Sequence, residues 1–320
     1  MVFHTKESRA IIYLTTIIYS VSGLEGNQEG IVIGNDGRTA EWRPIDNSAE
    51  VSIILATYNE FGNLPMLVKK INEIASFDFQ IIFIDDGSTD GTREFILDYV
   101  RDHPTSVYIF NNHKQSILRA HCQGIQASGS KFIIIMDADL QHPPEKISEI
   151  YDNLKSGHPI VAGSRYLKGA SPGKREPIRG VMSRVATALA KMILKSARGL
   201  SDPLSGFYGF KREIFKSFNS NWRGYESYPF IASTNPNVRP YEVPYVFGQR
   251  KNGYSKVINS LDFVRVFLIE LVLAKKLEIQ SRKSEWHSYR FTPEHSNAIN
   301  SGINEYEIKE VAPQSERQQN

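Results

Sequence analysis

One cysteine, Cys122, stands among 320 residues. It excludes an internal disulfide framework and fits a reducing compartment. Long hydrophobic runs are missing too. No stretch reaches the roughly 20 apolar residues that a membrane span needs. The nearest, Ala10 to Leu24, is broken by Thr15, Thr16, Ser20 and Ser22. With Lys6 and Arg9 ahead of it, this stretch has a faint likeness to a signal sequence, although a β-hairpin or an upstream start codon is the simpler reading. There is no GxxxxGK[ST] loop, no CxxC pair, no zinc-type histidine spacing and no Ser/His/Asp order. P-loop, zinc and triad-hydrolase chemistry therefore lack support, and Ser183, His121, Cys122 and His142 receive structural roles at this point. No basic run interleaved with aromatics argues for a nucleic-acid partner.

What charge there is sits unevenly. The formal net charge is +3, yet residues 1–50 hold 4 Lys+Arg against 7 Asp+Glu, and residues 278–320 hold 5 against 7. The positive excess lies between them, which suggests an anionic ligand or a membrane surface.

From Val51 onward, strand-like and helix-like patterns alternate, the signature of a parallel α/β sheet. Strands are expected at Val51 to Ala56, Gln80 to Ile84, Ser106 to Phe110, Phe132 to Met136 and Ile160 to Gly163. Helical spacing marks Leu64 to Ile74, a segment after Asp90 with Phe95, Ile96 and Tyr99 inward, Ile117 to Ala127, and Ile147 to Leu154. Ser88, Thr89 or Asp90 should cap the second of these. Tyr166 to Gly180 reads as a loop rich in glycine, proline and cations. A helix from Val181 to Lys195 follows, with Val185, Leu189 and Ile193 on one face. Gly199 to Phe210 is turn-rich, Glu242 to Phe247 strand-like, and Arg250 to Lys256 a basic turn. Val257 to Lys276 should be a helix, with Val257, Leu261, Val264, Leu268 and Leu271 on one stripe. Its apolar surface is too broad for one core face, so it either lies in a membrane interface or caps a domain or oligomer. The chain thus divides into an extension of unknown role (1–50), an α/β domain (51–256), an apolar or amphipathic helix (257–277) and a polar tail (278–320).

The chemistry gathers at strand ends, where open α/β sheets bind ligands. Asp137-Ala138-Asp139-Leu140-Gln141-His142-Pro143-Pro144 follows the wholly apolar Phe132 to Met136. Carboxylates at i and i+2 on a strand end point the same way, and no cation in the segment neutralises them. Hard oxygen donors of this kind suit Mg²⁺ or Mn²⁺, with Gln141 as a third donor. Helix capping and solvation is the bland alternative. A nucleotide-dependent transferase is the first hypothesis.

Asp85-Asp86-Gly87-Ser88 ends another strand. Adjacent carboxylates point to opposite sides, so one is expected to accept from a base N–H or ribose hydroxyls while the other holds the turn. Tyr58 is placed to border the base and Glu60 to accept from ribose. Arg165, Arg179, Arg250 and Lys256 form a cationic set in or beside glycine-containing loops, suited to phosphate.

Together these residues resemble glycosyltransferase family 2, a family with the GT-A fold, and within it the dolichyl-phosphate mannosyltransferases and other polyprenyl-phosphate glycosyltransferases. The likeness rests on Thr57-Tyr58-Asn59-Glu60, Asp85 to Thr92, Asp137 to Pro144, Gly163-Ser164-Arg165-Tyr166, Arg179 to Arg184, Asp202 to Gly206 and Arg250 to Lys256, in order. It implies a mostly parallel GT-A sheet flanked by helices. It implies that Ala56, Tyr58, Glu60, Asp85, Asp86, Asp137, Ala138, Asp139, Arg250 and Lys256 hold a nucleotide sugar, GDP-mannose or UDP-glucose. Asp137, Asp139 and Gln141 would hold Mg²⁺ or Mn²⁺, and Arg165, Arg179 and Ser183 an acceptor phosphate. Asp137, Asp139, Arg165 and Arg179 would then be catalytic. The implied reaction is inverting transfer to polyprenyl or dolichyl phosphate by an enzyme held peripherally on the cytoplasmic face of a membrane. The other readings are a saccharide or protein acceptor, which would require a base (Asp202 being the spare carboxylate), and a non-catalytic nucleotide-sugar-binding or scaffold protein.

Departures from the family pattern are visible. Ala56 stands where the family usually has proline, and Lys114-Gln115-Ser116-Ile117 replaces a glycine-rich segment. The absence of QxxRW argues against a processive polysaccharide synthase.

Overall fold

Short apolar runs with no polar alternation, separated by helical patterns, suit strands of a sheet buried on both faces. The computed structural model, which describes residues 30–33, 39–42, 49–173, 177–216, 224–249 and 261–283, has that sheet. Its strands are β1 (Gly30–Ile33), β2 (Thr39–Trp42), β3 (Val51–Thr57), β4 (Phe79–Asp85), β5 (Val107–Asn111), β6 (Phe132–Asp137), β7 (Ile160–Ser164), β8 (Tyr208–Lys211) and β9 (Tyr241–Pro244). They lie in the order β1-β2-β5-β4-β3-β6-β8-β7-β9. β3 pairs in parallel with β4 on one side and β6 on the other. β5 continues in parallel from β4, and β9 pairs in parallel with β7. β8 runs antiparallel to both β6 and β7. The antiparallel β1–β2 pair joins β5, so part of the N-terminal extension contributes to the sheet.

Seven helices accompany the strands among the described residues: α1 (Leu64–Ile74), α2 (Thr92–Asp102), α3 (Ile117–Ala127), α4 (Lys146–Lys155), α5 (Pro177–Ile193), α6 (Tyr228–Thr234) and α7 (Leu261–Lys283). Successive residues of β3 feed opposite faces. Ile53 and Leu55 join a core with α1, α2 and α4, while Ile54 joins a second with α3, α5, α6 and α7. α3 approaches the sheet closely. A Cβ on its Gly124 would lie 2.7 Å from an Ile54 methyl and 2.8 Å from Ile84 Cδ1.

Most expected elements appear within a residue or two of their expected limits, with informative differences. α5 begins at Pro177 rather than Val181, since proline's fixed φ and missing N–H suit a first helical turn. Its Val185 is exposed, while Leu189 and Ile193 pack against the core. α2 carries no side-chain cap on its N-cap residue Gly91. Instead Asp90 accepts from Thr92 N–H and Oγ. α7 extends past Lys276 to Lys283, with Glu278 buried, so the polar tail cannot begin at 278. Its core stripe is Val266, Phe267, Leu271 and Ala274, whereas Val264 and Leu268 face outward. The expected readings of Ala10 to Leu24 and of the Arg250 to Lys256 turn fall outside the described residues.

Candidate functional site

From β3 the chain passes to β4 on one side and β6 lies on the other, so the connections leaving β3 and β6 part at their carboxyl ends, the place where open α/β sheets bind ligands. Register places Ala56 of β3 beside Asp137 of β6, and Thr57 beside Asp85 of β4. β6 ends at Asp137, so strand alternation does not govern Asp139; the turn does. Asp137 N–H donates to His142 Nδ1 at 3.0 Å, Leu140 takes a left-handed φ of 63°, and Gln141 N–H donates to Asp139 Oδ1 at 3.0 Å. His142 is therefore a positioning residue. Accepting at Nδ1 leaves the neutral ring's proton on Nε2, and the ring stacks on Phe207. The Asp137 side chain is 41 % exposed, whereas Asp139 is buried.

The donors at this turn are hard oxygens. Gln141 Nε2 donates to the Gly248 carbonyl, which fixes the carboxamide beside the two carboxylates. Gly206 stands beside this turn. A Cβ there would sit 3.7 Å from Asp137 Oδ2 and 3.3 Å from the His142 ring. That donor set fits a hard divalent cation. Among the described residues no group of three Asp, Glu, His or Cys is arranged to enclose an ion. Substrate phosphate and water would thus complete its shell, as Mg²⁺-type sites commonly require.

The nucleotide-side motifs are laced together. Asn59 N–H donates to Ser88 Oγ, Thr89 N–H to Asn59 Oδ1, and Glu60 N–H to Thr92 Oγ1. The two carboxylates of the Asp85-Asp86 pair divide the work. Asp85 is fully buried and accepts from Gly87 and Ser88 N–H, Ser88 and Thr57 hydroxyls, and Arg93 Nε. It holds the turn. Asp86 accepts from Asn111 Nδ2 and Gln115 N–H, and burial pushes its carboxyl up to about 6. Lys114, in the segment that departs from the glycine-rich pattern, lies 4.5 Å over the Tyr58 ring. Glu60 is nearly buried, accepting from Asn63 Nδ2.

The cation set is dispersed in its roles. Arg165 forms a buried bidentate pair with Asp202, Nε to Oδ2 at 2.6 Å and a terminal nitrogen to Oδ1 at 2.7 Å, and also donates to the Leu204 carbonyl. Asp202 is fully buried, and Glu242 accepts from its N–H. The reading of Asp202 as a spare base is corrected here: both its oxygens serve Arg165, and it is closed to solvent. Arg165 in turn anchors the Asp202 to Gly206 loop beside the acidic turn. Ser183 lies 3.0 Å from Tyr166 Oη, joining α5 to the loop after β7. Arg179 falls in the first turn of α5, where the backbone alone is described, and Arg250 and Lys256 fall outside the described residues.

Two carboxylates that the sequence reading missed complete the picture. Glu226 Oε2 also lies 3.7 Å from the Gly206 Cβ position, as Asp137 Oδ2 does. Burial, and then Asp137, hold its carboxyl well above the usual range. Glu270 of α7 is buried, accepts from both Tyr225 and Glu226 N–H, and is pushed up to about 7 by burial. The sequence gives no signal for either, because their partners are distant along the chain.

Comparison with known proteins places this geometry in company. The pattern of glycosyl transferase family 2 matches residues 52–218. A dolichol-phosphate mannosyltransferase of Pyrococcus furiosus is 32% identical over 209 residues, 65% of this chain and 59% of that protein. The chain therefore spans less than two thirds of that relative. A dolichol-phosphate mannosyltransferase of Saccharomyces cerevisiae is 29% identical over 66% of this chain and 82% of its own length. A polyprenol monophosphomannose synthase of Mycolicibacterium smegmatis is 28% identical, with 65% and 81% covered. Among solved structures, a glucosyl-3-phosphoglycerate synthase from Mycobacterium tuberculosis in complex with uridine diphosphate superposes with a TM-score of 0.53 at 18% identity, over 72% of this chain and 81% of that one. At that identity the likeness concerns the fold, which is GT-A-like.

Proposed function

Because the chain belongs to glycosyl transferase family 2 and is a glycosyltransferase, we propose that it moves one monosaccharide, mannose or glucose, from GDP-mannose or UDP-glucose to a polyprenyl or dolichyl phosphate, with inversion at the anomeric carbon. The observation that carries this reading is the register that sets Asp137 beside Ala56 and Asp85 beside Thr57, so that both acidic turns leave the same edge of the sheet on either side of β3. The names of the relatives support the lipid-phosphate acceptor.

In this reading Asp86 and Tyr58 take the base and Glu60 the ribose. Asp137, Asp139 and Gln141 would hold Mg²⁺ or Mn²⁺ on the donor diphosphate, and such an ion supplies Lewis-acid stabilisation of the leaving group. Ala56 presents a small side chain where the donor must approach the strand ends, whereas Ala138 turns its methyl into the core and would serve through its backbone. Arg165, which the resemblance assigns to the acceptor phosphate, instead fixes the loop that walls the site, because its guanidinium is committed to Asp202 and the Leu204 carbonyl. Arg179 and Ser183 at α5, with Arg250 and Lys256, are assigned to the acceptor and donor phosphates. A phosphate monoester is already ionised near neutral pH, so the nucleophile needs orientation more than a base. Among the described residues no helix is long and apolar enough to cross a membrane. The outward Val264, Leu268, Ile269, Val272 and Ile279 of α7 therefore suit peripheral seating on the cytoplasmic face.

A donor-by-acceptor assay tests the reading: GDP-mannose and UDP-glucose against dolichyl phosphate and free saccharides, with Asp139→Asn as control. Transfer to the lipid phosphate that Asp139→Asn abolishes, in a variant that still folds, is the expected result. Transfer to free saccharides only would overturn the acceptor, and full activity of the variant the metal role.

A further inference from the structure

Glu226 is a carboxylate in search of a donor. Among the described residues none donates a hydrogen bond to its side chain, yet it is only partly exposed, and its Oε2 and Asp137 Oδ2 each lie 3.7 Å from one point, the place a Cβ on Gly206 would take. Leaving a half-buried carboxyl without a hydrogen-bond partner is costly. The fold nonetheless holds it there with care. Its N–H and that of Tyr225 donate to Glu270 Oε1, and Ser227 Oγ lies 2.7 Å from His121 Nδ1 and 2.6 Å from Tyr208 Oη. Gly224 is required at this corner, since Glu270 Oε1 occupies the place a Cβ would take.

Three partners come into question for such a group. It stands outside any three-residue cation cluster among the described residues, and a diphosphate with two aspartates already supplies the anionic ligands a divalent ion needs. An acceptor phosphate calls for cationic donors, which a glutamate side chain does not supply. The neutral hydroxyls of the monosaccharide are the part of the donor that a carboxylate attracts. In a transfer site the sugar must lie between the diphosphate, on the Asp137 turn, and the acceptor. We propose that Glu226 is a sugar-binding, specificity-determining residue, whose carboxylate accepts hydrogen bonds from hydroxyls of the donor monosaccharide, and that Glu270 is the positioning residue that sets its backbone. This rests on the nucleotide-sugar reading above.

The test is calorimetric, in the presence of Mn²⁺, with GDP and UDP on one arm and GDP-mannose and UDP-glucose on the other. Glu226→Ala should bind the free nucleotide like the wild type and the matching nucleotide sugar about tenfold more weakly. Glu226→Gln, which keeps an acceptor oxygen, should lose less. Glu270→Ala should reproduce the sugar-selective loss, and Glu270→Gln should restore affinity, a split that mere destabilisation would not give. Equal loss for nucleotide and nucleotide sugar would assign Glu226 to the metal or diphosphate and overturn the proposal. So would unchanged affinity for the nucleotide sugar, even with slower turnover. A wild-type protein that binds neither nucleotide nor nucleotide sugar would instead overturn the functional reading beneath it.

Discussion

Asp86 carries a pH dependence whose sign can be worked out. Burial raises its carboxyl from 3.8 to about 6, against hydrogen bonds from Asn111 and Gln115 that pull it down. The folded protein thus holds a proton that the unfolded chain releases earlier. This group's contribution to stability falls as pH rises from about 4 to about 6 and is flat above that. Its ability to accept from a base N–H runs the other way, because only the carboxylate offers both oxygens as acceptors. Nucleotide-sugar affinity should rise roughly tenfold from pH 5 to pH 7 and level off. The nucleotide sugar is the right probe, since its doubly esterified diphosphate does not titrate in that range. Titration calorimetry across pH 5–8 checks this: Asp86→Asn should remove the part of the profile centred near 6, leaving only what Glu226 and Glu270 contribute, and a profile identical in wild type and variant would remove Asp86 from the site. The DDGS sequence led to the expectation that one carboxylate binds and one holds the turn, and Asp85 is the one that holds it. The sequence could not show which, because the choice depends on Arg93 and Asn111 arriving from α2 and β5.

At the scale of elements, the parallel strands were readable because burial on both faces leaves unbroken apolar runs. β8 was not. It is four residues long, contains Gly209, and is defined by long-range pairing with β6 and β7 rather than by any local pattern. α6 was missed for the opposite reason: all seven of its residues are buried, so it has no polar face and no period to detect. With it went Glu226, just ahead of that helix. α3 was placed to the residue by its spacing, but its seating on the sheet rests on Gly124, which the spacing did not flag. Gly124→Ala gains helix propensity, yet its methyl must displace Ile54 and Ile84 from a packed interface. A net loss of about 1–3 kcal/mol is expected, measurable by urea denaturation with an unchanged m-value. A neutral or stabilising result would mean that the α3 interface has slack.

For the molecule as a whole, α7 is the element that ties the site to whatever lies outside it. Its inner face carries Phe267, Leu271 and Ala274 into the core, and two buried glutamates fasten it: Glu270 to the loop bearing Glu226, and Glu278 to Ser196 beyond α5. Its outer face leaves Ile269 45% and Val272 65% exposed among the cations Arg265 and Lys276. Apolar residues flanked by positive charge suit an interface with anionic lipid, where area and charge act together. Both outward residues are clear of the core, so Ile269→Glu with Val272→Glu should change stability by less than about 1 kcal/mol in total. The double variant should lose flotation with vesicles containing anionic lipid while keeping its affinity for the nucleotide sugar. Its activity on vesicle-borne dolichyl phosphate should fall, and its activity on a short, water-soluble polyprenyl phosphate should not. Undiminished flotation would place the lipid contact elsewhere on the chain, and parallel loss on both acceptors would make α7 a part of the site rather than its seat on the membrane.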